Sequence, residues 1–143
     1  MLPSTQQRVP LHTATHVNRH IREQARASVQ NAALGGLPGI DRRLAELDRE
    51  WDVERVLEAN AASLVVAGCA LGAFADRRFF VVPALVGGFL LQHALQGWCP
   101  PLPLLRRLGI RTEAEIEDER RALLASRADV LAASRVGPAG RAQ

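Results

Sequence analysis

The chain has 143 residues, enough for one small domain, with 48% hydrophobic residues and a formal net charge of +3. Two cysteines make no disulfide framework, and the absence of tyrosine and of any basic–aromatic alternation argues against a nucleic-acid partner. There is no lysine, so arginine carries the basic charge, a usage that fits a GC-rich bacterial genome. The charges are segregated. Between Ala59 and Trp98 the only charged residues are Asp76, Arg77 and Arg78, whereas Arg, Asp and Glu recur throughout the flanks. A soluble domain spreads its charges along its length, so this contrast points to a membrane.

Residues 1–39 read as a flexible tail. Arg, His, Gln, Asn, Ser and Thr are scattered through it, and residues 17–34 support only a weak helix without a continuous apolar stripe. Gly35-Gly36 and Pro38-Gly39 then break it. The stretch lacks the apolar core of a secretory signal; its Arg-rich, acid-poor character gives a less favoured likeness to an organellar transit peptide. His12, His16 and His20 fall at i, i+4 and i+8, which on a helix would give one face able to hold a transition metal. No acid or cysteine sits among them, and an untidy polar tail is the plainer reading.

From Ile40 the pattern is helical. Ile40, Leu44, Leu47 and Trp51 recur at steps of four, three and four, with charges around them, which predicts an amphipathic helix over 40–57. It would pack in a bundle or lie on a membrane surface. Two uncharged segments follow. Ala59–Ala75 would span about 26 Å, and taking in residues 56–58 supplies the missing turn; Phe79–Trp98 would span about 30 Å, the thickness of a hydrocarbon core. Spans over 58–75 and 79–98, joined only by Asp76-Arg77-Arg78, must run antiparallel.

After Trp98, Pro100, Pro101 and Pro103 exclude a regular helix until a short turn ending at Gly109. Thr112-Glu113-Ala114-Glu115 is a capping box that announces a helix over 112–126. Residues 127–143 form a C-terminal extension whose Gly/Pro/Ala/Arg end is expected to be disordered. The fold class is therefore an all-α membrane protein, a two-helix transmembrane hairpin with flanking amphipathic helices.

Both ends of such a hairpin lie on one side. Arg42, Arg43, Arg49, Arg55, Arg106, Arg107 and Arg111 flank that side against Arg77 and Arg78 in the turn, which puts the ends in the cytoplasm. Helix packing is expected at Gly68 and Gly72 in the first span and Ala84 and Gly88 in the second, since small residues let backbones approach in lipid. The same patches could serve a homodimer. Glu58, Asn60, Gln92, His93 and Gln96 fall at similar depth and read as an interfacial hydrogen-bond cluster, with a proton or metal site at His93 as the alternative. Trp98, Arg106 and Arg107 read as interface anchors.

Cys69 and Cys99 stand too far apart along one hairpin to be bridged. Cys69 reads as a packing residue. Cys99 is a candidate thiol, but a helix C-terminus opposes a thiolate, and His93 does not face it along a regular helix. No Ser/His/Asp set, phosphate loop or paired-carboxylate site appears, and no cofactor is implied.

The stretch "GWCPPLPLLRRLGIRTEAEIEDERRAL", preceded by two short spans and "REWDVERVLEAN", resembles the YgaP-like transmembrane family of bacterial inner-membrane proteins. The marks are Gly97-Trp98-Cys99-Pro100 after the second span, Leu108-Gly109-Ile110 shortly after, and Arg55 before a first span rich in small residues. The resemblance covers about residues 45–125. It implies a membrane hairpin that in some members is joined to a rhodanese (sulfurtransferase) domain, which this chain does not carry. The expectation is a structural or partner-binding membrane module. Its partners would be the bilayer, a second copy, or a sulfurtransferase or other membrane protein. The competing expectation is a membrane-embedded thiol-, sulfur- or metal-handling protein using Cys99.

Overall fold

The computed structural model describes residues 5–136, and every regular element among them is helical. The elements are α1 (Thr5–Leu11), α2 (Thr15–Leu34), α3 (Gly36–Leu47), α4 (Val53–Phe74), a 3-10 turn (Arg77–Phe80), α5 (Val81–Gln96), α6 (Leu102–Arg107) and α7 (Glu113–Val136). The chain divides into two compact units, one of residues 5–18 and 51–113 and the other of residues 19–50 and 114–136.

The first unit is built on α4 and α5. Asp52 starts α4: its side chain accepts from the Arg55 N–H at 2.6 Å, satisfying one of the donors that a helix start leaves open. Asp76 does the same for the 3-10 turn through the Arg78 N–H at 2.8 Å. Val81–Gln96 ends at Gly97, whose left-handed conformation (φ 72°) lets its N–H reach the His93 carbonyl at 2.7 Å. The stretch Val53–Phe74 and the stretch Arg77–Gln96 are each long and apolar enough to cross a membrane, and both are mostly unburied.

The two helices pack on each other through α4's glycines. A Cβ on Gly68 would stand 2.6 Å from Pro83 Cδ, and one on Gly72 would stand 2.9 Å from the Phe80 ring. A side chain at either position would force Pro83 or Phe80 to shift. Ala84 and Gly88, expected to complete this contact, do not. Ala84 is exposed, and a Cβ on Gly88 would meet nothing within 4 Å. Val82 and Pro83 take their place, because the 3-10 turn sets α5 a few residues out of the expected register.

The second unit joins residues 19–34 of α2, α3 and most of α7. Its core is Ala32, Ile40, Leu47, Ile116 and Leu123, with Val29, Leu44 and Val130 packed against it. Charged pairs surround that core. Arg43 reaches Glu119 with Nε at 2.8 Å and Nη2 at 3.3 Å, and Glu46 at 2.9 Å. Arg120 pairs with Asp48 at 2.7 Å and Arg127 with Asp41 at 2.8 Å. The Glu119 carboxylate, itself buried, is the first cause that holds the Arg43 guanidinium more firmly protonated than usual.

Three further expectations change. Residues 5–34, read as tail, form α1 and α2, while residues 1–4 lie outside the described residues. The helix expected over 40–57 is two helices. The apolar repeat holds through Leu47, then Asp52 caps a new start, and Trp51 is left 49% exposed with the Arg55 guanidinium 4.6 Å above its ring. The last helix runs to Val136 rather than 126; the expected disordered end, residues 137–143, lies outside the described residues.

Candidate functional site

The polar and chemically able side chains of the first unit gather where α4 begins and α5 ends. Pro100 and Pro101 turn the chain, and α6 then buries Leu102 against Val53 and Leu57 in the first turns of α4, with Arg106 buried on the same face. Val9 of α1, Val53 and Leu57 of α4, Cys99 and Leu102 form one buried cluster, with Trp98, Leu105 and Ile110 against it. The Val53 N–H donates to the Arg111 carbonyl at 2.8 Å, fastening the start of α4 to the chain just after α6.

Arg106 is the largest fully buried side chain, 1% exposed. Its Nη2 donates to Asn18 Oδ1 at 3.0 Å, Nη1 to the Ile110 carbonyl at 3.1 Å, and Nε to Thr13 Oγ1 at 3.2 Å. Asn18 in turn donates through Nδ2 to the Pro10 carbonyl at 2.8 Å and the Thr13 carbonyl at 3.3 Å. The expected interface anchor is thus an internal clasp that ties residues 10–18 to α6. A guanidinium is tolerated there because fixed acceptors meet its fork of donors. Arg107 is exposed, as an anchor would be, and Trp98 is half-buried.

A second clasp closes the end of α5. Arg8 donates from Nη1 to the Leu95 carbonyl at 2.5 Å and from Nη2 to the Ala94 carbonyl at 3.3 Å. These are among the last carbonyls of α5, which lack partners in the helix, and a cation also complements the negative end of its dipole. The backbone of Gly97 lies directly beneath this residue: a Cβ there would come within 2.4 Å of Arg8 Cβ.

The polar cluster expected at this depth does not form as a network. His93 is buried, with 6% exposed, and neither ring nitrogen finds a hydrogen-bond partner among the described residues. Asn60 is exposed and donates to the Val56 carbonyl of its own helix at 2.9 Å. Glu58 and Gln96 are exposed and Gln92 is half-buried. Sequence depth placed these residues at one level, but only His93 turns inward.

Cys99 is buried, 3% exposed, and burial pushes its thiol above the ordinary value, opposed only by the Leu102 N–H. A nucleophilic cysteine requires the reverse, a depressed value and access. Cys69 is exposed on α4, and neither cysteine is bridged. His16 and His20 sit exposed on α2, while His12 lies outside it in the turn after α1, so the three do not share a helical face. No group of three or more His, Cys, Asp or Glu side chains able to hold a metal occurs among the described residues.

Arg8, Val9, Thr13 and Asn18 are the members that sequence reasoning missed. The signal available was an apolar ladder, Val17, Ile21, Ala25, Val29 and Ala32, at steps of four and three through the presumed tail. Comparison with family models, curated proteins and solved structures finds no match for this chain.

Proposed function

We propose that this chain is an integral protein of a bacterial inner membrane, a hairpin of α4 and α5 with both ends in the cytoplasm. It serves as a structural or partner-binding module without catalysis of its own. The observation that carries the reading is the surface of α4 and α5. Leu64, Val66, Leu71, Phe74, Leu85, Phe89, Leu91 and Leu95 are all exposed, around two helices with no charge between Ala59 and Ala75 or between Phe79 and Trp98. In water such a continuous apolar surface promotes aggregation. In a bilayer it is matched to its solvent, and the lengths of about 33 and 32 Å suit the hydrocarbon thickness. The caps at Asp52, Asp76 and Gly97, and the Arg8 clasp, satisfy backbone groups at the ends of these helices, in keeping with the need for paired backbone in lipid.

The excess of arginine on the side of the ends supports their cytoplasmic location. Gly97-Trp98-Cys99-Pro100 and Leu108-Gly109-Ile110 support membership of the YgaP-like transmembrane family. Burial of Cys99 and the absence of a metal-ligand cluster among the described residues favour a non-catalytic module over thiol or metal chemistry. Washing membranes from expressing cells with alkaline carbonate tests the reading. The protein is expected in the pellet; release into the supernatant would sink it.

A further inference from the structure

α6 is a helix of six residues whose outward face is apolar. At about 100° per residue, Leu102 and Arg106 fall on one side, and both are buried. Leu104 and Leu108 fall on the other, 61% and 69% exposed, with exposed Pro101 beside them and exposed Arg107 on the flank. The inner side is already occupied by the core around Val53 and Leu57, so the outer leucines have no partner in the first unit. Charge and position identify one. The helix follows α5 after a turn of five residues and packs on the first turns of α4, so it stands at the end of both apolar helices. Exposed Arg55, stacked on exposed Trp51, begins α4 at the same end. Leucine with arginine on a short helix, beside tryptophan, is the composition that settles at the boundary between acyl chains and anionic headgroups.

We infer that the outer face of α6 lies in the headgroup layer of an anionic bilayer, with Leu104 and Leu108 in the upper acyl chains and Arg107 and Arg55 toward the phosphates. The inference rests on α4 and α5 being the spans. It makes α6 a lipid-gripping collar at one end of the hairpin, and it explains why leucines face outward next to an arginine clasp that faces inward.

The test uses the full chain with Cys69→Ser, which leaves only the buried Cys99, reconstituted in phosphatidylcholine vesicles with or without phosphatidylglycerol. A bimane probe is placed at Leu104→Cys, Leu108→Cys or, as the span control, Leu85→Cys. Quenching is read from lipids carrying a nitroxide high or low on the acyl chain. The expected result is that probes at 104 and 108 lose more emission to the high nitroxide than to the low one, and the probe at 85 the reverse. The loss at 104 and 108 should be greater with phosphatidylglycerol, and Arg55→Gln with Arg107→Gln should remove that difference. Quenching at 85 without quenching at 104 or 108 would overturn the collar and leave the spans standing. An unquenched but blue-shifted probe at 104 would do the same, assigning the face to a second copy or another protein. No quenching at 85 would overturn the spans themselves.

Discussion

In the first unit, the bare backbone of α4 meets α5 and the turn before it, Gly68 against Pro83 of α5 and Gly72 against Phe80 of the 3-10 turn, with large apolar side chains turned outward. In the second unit, α3 and α7 meet through a small Ile/Leu core fenced by arginine–carboxylate pairs, of which the Glu119 carboxylate is itself buried. Water rewards the second arrangement, because burying leucine and isoleucine releases apolar surface from it. The first arrangement leaves most of its large apolar side chains unburied, and its helices are in contact where the α4 glycines allow close approach. One chain therefore carries two kinds of helix packing, and on the reading proposed above each suits a different solvent. The polar clasps of Arg106 and Arg8 belong to the first unit only at its end, where α4 begins and α5 finishes.

Breaking the clasp should have the largest effect. Arg106→Met keeps the bulk but leaves Asn18 Oδ1 and the Ile110 carbonyl without a donor, at a cost of about 3 kcal/mol. Equilibrium unfolding of the reconstituted protein measures it. A loss under about 0.5 kcal/mol, the range of ordinary surface substitutions, would mean that the clasp holds nothing. Glu119→Gln tests the second unit. It removes the buried charge opposite Arg43, and the expected loss is about 2 kcal/mol, short of a fully buried pair because Arg43 is partly exposed. An unchanged unfolding midpoint would contradict the role given to that pair.

Two glycines sharpen the contrast between contact and outward-facing surface. Gly68→Ala forces a Cβ into Pro83 and should cost about 1–2 kcal/mol, whereas Gly88→Ala meets open space and should be neutral or slightly stabilising. Equal effects at the two sites would overturn the observed register. The smallest effect concerns Cys99, whose thiol is raised by burial in the folded state. A group raised on folding contributes stability below its unfolded value and loses it as pH rises through the folded value. The wild type should therefore lose stability on the alkaline side relative to Cys99→Ala, and a maleimide should label Cys99 more slowly than a free thiol near neutral pH. Rapid labelling of Cys99 would revive the thiol reading.

The apolar helices, their turn at Asp76 and the start of α7 were legible because each has a local signature: an uncharged run, a charged break, a capping box. The division after Leu47 was readable in principle from Asp52, a capping residue, but the step of four from Leu47 to Trp51 disguised it. Helix α2 was underrated because Ala25 and Ala32 stand in its apolar ladder where larger residues are usual. The burial of Arg106 had no local sign at all. An arginine after a span reads as an anchor, and only the fold brings Asn18 to it across 88 positions. The inward turn of His93, away from Asn60 and Gln96 at similar depth, likewise depends on helix rotation that spacing does not fix.

The central claim is that α4 and α5 cross a bilayer and bring both ends to one side. It is tested most directly by single cysteines at Arg77→Cys and Arg49→Cys in a Cys69→Ser background, treated in intact spheroplasts with an impermeant maleimide. Spanning predicts that Arg77→Cys is labelled from outside and Arg49→Cys only after the membrane is opened. Labelling of both from the same side would contradict it.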